Sequence, residues 1–382
     1  MPRLTDPDRR RSFALARCLA AVLAAGCARR VRGDDPRLRY EGRVARESDG
    51  AMRLSWPHSA LHVRFRGTRA TLRVEELMFP RDAPEPDALG ISLDGAPLRR
   101  VTLRPGVQVL ELAEGLPSGA HTARVVKLTE AELGAVRVLS LGLVDGAVLL
   151  DPPPAPARRL MAIGDSIAVG YGVDGPDGFC VAAGSTRNAA HAWPALAASA
   201  LGAELHLLAW SGRGLTRNYD PSQPETLTTL LSRTIPTDPT NPWDEGRWIP
   251  TDVTVNVGTN DVAHAPLDDA AYASALRAVL GRVLARAPAA RVRVLVGPMI
   301  YDDGPTPGAN SLQRVRAATD AVALGLREEG YDVARVEIYG ATPEEGYGCE
   351  AHPSRATQRR IAETAVRALN EGLRSPAGGS SR

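Results

Sequence analysis

Lysine is almost missing from this chain. Of 46 basic residues only Lys127 is lysine and the rest are arginine. That bias reflects the codons of a GC-rich genome and is not a phosphate-binding signature. Aromatic residues make up 4% of the 382 positions, and there are four cysteines. Neither the cysteines nor the seven histidines stand at CxxC or HExxH spacings, which excludes a zinc site at those positions. Past residue 27 there is no uncharged apolar run long enough to span a bilayer. Excess charge is also lacking. The first 27 residues hold five arginines against two aspartates, and the remainder has 41 basic and 42 acidic side chains. A near-neutral body has no electrostatic footprint for nucleic acid. What is present, 44% apolar and 24% charged residues, excludes a wholly disordered or collagen-like chain. At about 150 residues per domain, the length suggests two domains, each with its own core.

The amino terminus carries Arg9-Arg10-Arg11-Ser12-Phe13 and then a short apolar stretch over 14–26, broken by Arg17. This is the charged-then-apolar layout of an export signal. The paired arginines before Phe13 resemble a twin-arginine signal. Leu23-Ala24-Ala25-Gly26-Cys27 resembles a bacterial lipobox, with Cys27 the candidate for lipidation. The expectation is a protein exported from a bacterial cytoplasm: periplasmic, secreted, or held at the outer membrane, with membrane contact only through a lipid anchor. Cys180 and Cys349 are then left in an oxidising compartment and can form a disulfide.

Residues 38–150 read as β throughout. Leu61, Val63 and Phe65 alternate with His62, Arg64 and Arg66, and Ala70, Leu72 and Val74 with Thr71, Arg73 and Glu75. Short strands at regular spacing, with turns at Asp94-Gly95 and Ser118-Gly119, predict a β-sandwich of jelly-roll type. Pro152-Pro153-Pro154-Ala155-Pro156 then makes a stiff linker. In 158–373 apolar β-runs at 160–163, 205–209, 253–257, 292–296 and 333–338 alternate with helical stretches at 190–201, 268–287, 311–329 and 354–373. That alternation predicts an α/β domain with a parallel sheet covered on both faces. The Gly/Ser-rich tail, 374–382, is expected to be disordered.

Active sites of such sheets lie at the carboxyl ends of strands. Three blocks follow apolar strands directly: Gly164-Asp165-Ser166, Trp210-Ser211-Gly212-Arg213-Gly214 and Gly258-Thr259-Asn260-Asp261. A serine at the first is placed to attack a carbonyl, although a helix N-cap serine looks the same. Glycines at the second let backbone N–H groups approach a ligand. An asparagine at the third can donate to an oxyanion. A fourth block, Cys349-Glu350-Ala351-His352-Pro353-Ser354, puts a histidine on a loop before the last helix. His264, three residues past Asp261, is the rival base.

In this order the four blocks resemble the SGNH hydrolases. The resemblance assigns Ser166 as nucleophile, Gly212 as the glycine oxyanion donor with Gly214 the alternative, Asn260 as the amide donor and His352 as base. Asn241-Pro242-Trp243-Asp244, Trp248, the block from Gly212 to Tyr219 and, upstream, Lys127-Leu128-Thr129-Glu130-Ala131 are similar to family 2 of the carbohydrate esterases. The likeness covers roughly residues 40 to 373. It implies a flavodoxin-like SGNH domain after a jelly roll, and removal of acetyl groups from polysaccharides or sugars through an acyl-serine, a reaction that needs no metal or organic cofactor. Trp210 and Trp243 are the candidate sugar-stacking residues. Many SGNH enzymes have Asp three residues before the histidine, where this chain has Cys349. A Ser–His dyad oriented by a backbone carbonyl is therefore expected, with the Glu350 carboxylate the alternative. Arg187 also stands where the family leads one to expect Glu. The competing functions are a lipid or thioester hydrolase of the same fold and a non-catalytic carbohydrate-binding protein. The β domain either binds glycan or packs on its neighbour.

Overall fold

The computed structural model describes residues 29–79, 85–144, 146–304 and 306–371. The expected export signal with Cys27, and the tail at 374–382, lie outside the described residues. Among the described residues six strands come first: β1 (Arg29–Arg32), β2 (Arg39–Glu41), β3 (Val44–Arg46), β4 (Met52–Leu54), β5 (Ala60–Arg66) and β6 (Ala70–Met78). Six more follow: β7 (Ala88–Leu93), β8 (Arg99–Thr102), β9 (Gly106–Ala113), β10 (Ala120–Lys127), β11 (Gly134–Leu143) and β12 (Val148–Leu150). They make two antiparallel sheets, β3-β4-β11-β6-β9 with β1 on β11, and β12-β5-β10-β7-β8 with β2 on β5. Leu61, Val63 and Phe65 of one sheet share a core with Leu72, Val74 and Leu141 of the other. The period-two alternation read from the sequence is what turns these side chains inward.

The sandwich begins before residue 38. β1 pairs with β11 from Arg29↔Leu143 to Arg32↔Ser140. Its sequence, Arg-Arg-Val-Arg, offers only Val31 to the core, too little apolar pattern to read as a strand.

The second half holds five parallel strands: β13 (Arg159–Gly164), β14 (Glu204–Ala209), β15 (Asp252–Asn256), β16 (Arg291–Val296) and β17 (Val333–Glu337). Their order is β14-β13-β15-β16-β17. Among the described residues six α-helices accompany them: α1 (Ser166–Val169), α2 (Trp193–Leu201), α3 (Leu227–Leu230), α4 (Asp269–Leu284), α5 (Ser311–Glu328) and α6 (Arg355–Asn370). α2 and α6 cover one face, where Ile361 and Ala365 pack on Leu160 and Leu207. α4 and α5 cover the other, where Leu276 and Val315 pack on Val255 and Val294. Asp268 caps α4 by accepting from the Ala271 N–H at 3.0 Å, and Ser354 caps α6 through the Thr357 N–H at 3.3 Å. The strand order reverses at β13, so β14, β13 and β15 bring their carboxyl ends side by side at one crevice.

The two halves are knotted together by the turn after β10. Lys127 is fully buried; its ammonium donates to Asp87 at 2.5 Å and to the carbonyls of Thr129 and Glu130 at 3.1 and 2.9 Å. Removing one partner of such a buried pair typically costs about 3–5 kcal/mol. The turn it holds reaches the second domain: Leu128 accepts from Ala189 N–H at 2.8 Å, and the Glu130 carboxylate accepts from Ser211 N–H at 3.2 Å.

Candidate active site

β13 delivers Ser166 to the crevice. A Cβ on Gly164 would meet the Ala168 Cβ at 2.5 Å, so only glycine lets the chain turn this sharply into α1. The helix is capped by the side chain of Asp165, which accepts from Ile167 N–H at 3.0 Å. Ser166 is thus the first helical residue and not the cap, and its hydroxyl is free for another partner. That partner is His352, whose Nε2 lies 2.9 Å from the Ser166 Oγ.

His352 follows a short turn, Cys349–Ala351, in which Glu350 (φ 52°) and Ala351 (φ 56°) both take left-handed backbone. Non-glycine residues held there cost of order 1 kcal/mol or more each. Three backbone contacts hold the turn in place. Cys349 N–H donates to Gly172 O at 3.0 Å, Glu350 N–H to Cys180 O at 3.0 Å and Ala351 N–H to Gly178 O at 3.1 Å. The Cys180–Cys349 disulfide ties the same two loops covalently.

The second ring nitrogen of His352, Nδ1, is 3.1 Å from the carbonyl oxygen of Glu350. The tautomer that donates from Nδ1 to this carbonyl leaves Nε2 as an acceptor for the serine proton. The Glu350 carboxylate points elsewhere: it accepts from the Tyr171 hydroxyl at 2.5 Å and faces the Ala182 N–H at 3.4 Å. Tyr171 in turn packs its ring on the imidazole, 4.6 Å between centroids. The Arg187 guanidinium sits 4.7 Å from the Tyr171 ring centre and pairs with Glu132 of the β domain. Burial pushes the His352 pKa below its ordinary value, only partly opposed by the Glu350 carbonyl. The ring is therefore neutral, and able to accept a proton, at neutral pH.

Opposite the serine, β14 ends in the loop that carries Gly212 (φ 74°). Among the described residues, neither the N–H of Ser166 nor that of Gly212 has an acceptor. Gly214 differs: its N–H faces Asn218 at 3.4 Å, and it does not line the cavity. Asn260, 6% exposed, stands in the turn after β15. Its amide donates to the Arg213 carbonyl at 3.0 Å and has a longer, 3.4 Å contact with Asp165. Burial pushes the Asp165 carboxyl up to about 7. The fully buried Asp261 fixes the glycine loop, accepting from Leu215 N–H at 3.1 Å, Thr216 N–H at 2.7 Å and the Thr216 hydroxyl at 2.6 Å.

Ser166, Gly212, Asn260 and His352 all line one open cavity of about 670 Å³. His264 lines it too, but its ring lies against Tyr219, 4.7 Å between centroids, while His352 takes the serine. Trp210 and Trp243, the candidate sugar-stacking residues, do not line this cavity. Trp210 is 8% exposed and continues the inward face of β14 into the core. Trp243 is equally buried and packs edge-on against His206 in a separate cavity. The aromatic rings that do face the site are Tyr171, Tyr219 and Tyr301. The β domain adds Glu132, whose place in the cavity depends on a contact across the domain seam and carries no local sequence signal.

Residues 162–360 match the GDSL-like Lipase/Acylhydrolase family, and residues 40–153 match the Carbohydrate esterase 2 N-terminal family. The chain is 28% identical over 331 residues to the cellulase/esterase CelE of Acetivibrio thermocellus, covering 86% of this chain and 39% of that protein. It thus spans well under half of that relative. An acetylxylan esterase / glucomannan deacetylase of Cellvibrio japonicus is 25% identical over 299 residues, 76% of this chain and 80% of that one. Among solved structures, a family two carbohydrate esterase from Clostridium thermocellum in complex with cellohexaose superimposes with a TM-score of 0.80. The two are 27% identical, with 87% of this chain and 98% of that one covered.

Proposed function

The chain belongs to the GDSL-like lipase/acylhydrolase family, and from that premise we propose that it is a serine esterase removing O-acetyl groups from polysaccharides or sugars. The observation that carries this reading is the 2.9 Å contact between His352 Nε2 and Ser166 Oγ, with Nδ1 turned to the Glu350 carbonyl. In the proposed reaction His352 takes the serine proton as Oγ bonds to the ester carbonyl carbon. The carbonyl oxygen becomes an oxyanion and meets the N–H groups of Ser166 and Gly212 and the Asn260 amide. The imidazolium returns its proton to the departing sugar oxygen as the ester C–O bond breaks. Water, losing a proton to His352, then attacks the acetyl-serine; acetate leaves and the serine is reprotonated. The 28% likeness to an esterase and the 25% likeness to an acetylxylan esterase / glucomannan deacetylase support a polysaccharide acetate as substrate.

Export belongs to the same reading, since such a substrate lies outside the cell and 1–27 carries a signal-like pattern, with Cys27 the candidate for lipidation. We also read the sandwich as a jelly roll. β4 pairs with β11, β5 with β10, β6 with β9 and β7 with β8, all antiparallel. That nesting is what a long hairpin gives when it is rolled into two sheets.

Acyl selectivity tests the assignment. A 4-nitrophenyl acetate should be cleaved at least about 10-fold faster than the octanoate, the lower end of what one misfitted methylene costs. Faster cleavage of the octanoate would favour a lipid hydrolase instead.

The orienting group of His352 has its own test. Glu350→Gln keeps both the backbone carbonyl and an acceptor for Tyr171, so turnover should fall by less than about 10-fold. Loss near the roughly 10⁴ that follows neutralising a triad carboxylate would make Glu350 the third member.

A further inference from the structure

A second cavity, of about 140 Å³, shares no lining residue with the one at Ser166. Met161 and Ile163 of β13, Leu208 of β14, Trp243 and Trp248 form most of its apolar wall, and α4 closes it with Val279 and Val283. The β domain contributes one side chain, Arg43, which is 3% exposed. Its Nη1 donates to the carbonyls of Leu231 and Arg233 at 2.7 and 2.9 Å, and its guanidinium lies 4.9 Å from the Trp243 ring centre. Beyond the Trp243 ring, the rest of the group has no hydrogen-bond acceptor among the described residues. Its Nε is buried with no partner, and among the described residues neither Nη2 nor the cation as a whole has a carboxylate to pair with. The one carboxylate in the lining, Glu245, is engaged by Arg282, and Arg286 adds a third guanidinium.

A buried cation without a counter-ion is costly, and the cost is relieved by an anion that brings its own apolar body. Size sets the body: an apolar cavity of about 150 Å³ accepts a benzene ring. We propose that this cavity is a binding site for a small monocarboxylate with a flat apolar body, its carboxylate meeting Arg43 and its body the tryptophan and aliphatic wall. None of this depends on the esterase reading, because no residue of that site takes part.

Benzoate is the probe, and tryptophan fluorescence and calorimetry are the readouts, since Trp243 and Trp248 line the site. Benzoate should bind saturably at one site. Benzyl alcohol, with the same ring and no charge, should bind at least about 10-fold more weakly, the least that a charge-assisted hydrogen bond contributes. In crystals soaked with 4-bromobenzoate, the anomalous bromine peak should lie beside Trp243. Arg43→Met, if circular dichroism shows it folded, should bring benzoate to the level of benzyl alcohol. If that variant does not fold, the wild-type comparison and the bromine position decide alone. Equal binding of the two probes, no saturable binding, bromine only at Ser166, or undiminished benzoate binding by folded Arg43→Met would each overturn the proposal.

Discussion

Ser166→Ala should lower turnover of an acetyl ester by about 10⁴–10⁶ while circular dichroism and the melting temperature stay as in the parent. The size of the loss follows from the role: without Oγ there is no atom to carry the acetyl group, and only the oxyanion donors and substrate binding remain. The expectation of an intact fold follows from geometry. A serine at a helix start often stabilises the helix as its cap, but here Asp165 does that through the Ile167 N–H. The hydroxyl has His352 as its partner instead. Because nucleophile and base act as one unit, adding His352→Ala to Ser166→Ala should cost almost nothing further. Activity above about a tenth of the parent in the single variant, against the many orders expected, would remove Ser166 from the chemistry.

Much of this arrangement was legible in the sequence because strand ends announce themselves. The apolar runs at 160–163, 205–209 and 253–257 belong to β13, β14 and β15, and a parallel sheet places whatever follows such neighbours at one edge. Hence Ser166, Gly212 and Asn260 come together although they are far apart in the chain. His352 was readable for a different reason: Pro353 keeps it out of the helix that Ser354 caps. Where Trp210 lies could be read from the strand period. Trp210 is two residues past Leu208, so it points to the same buried face. Tyr171 and Glu132 were not legible. Tyr171 meets the base only because the disulfide-bearing loop folds back, and Glu132 arrives from the other domain. β1 was hidden because three of its four residues are arginines turned to solvent.

Asn260→Ala should lower kcat by about 10²–10³ with KM nearly unchanged. An amide that meets an oxyanion stabilises a charge present only in the transition state, so its loss is not felt when the ester binds. The structure makes this variant more informative than most, because the same amide also donates to the Arg213 carbonyl within the glycine loop. Two roles are therefore possible, and they predict different things. If Asn260 chiefly braces the loop, removing it lets Gly212 drift, and KM should rise with the fall in kcat as the cavity loosens. Against that stands Asp261, which holds the same loop through the N–H groups of Leu215 and Thr216 and does not depend on its neighbour's side chain. With that anchor intact, the Gly212 N–H stays where it is, and what Asn260→Ala removes is one donor. The 3.4 Å contact to Asp165 points the same way: it is the weaker of the two the amide makes, and giving it up leaves one hydrogen free for the oxyanion. Steady-state kinetics on an acetyl ester, with the melting temperature as a control, separates the two. A rise in KM together with a lower melting temperature would assign Asn260 to the loop and leave the oxyanion to the two backbone donors.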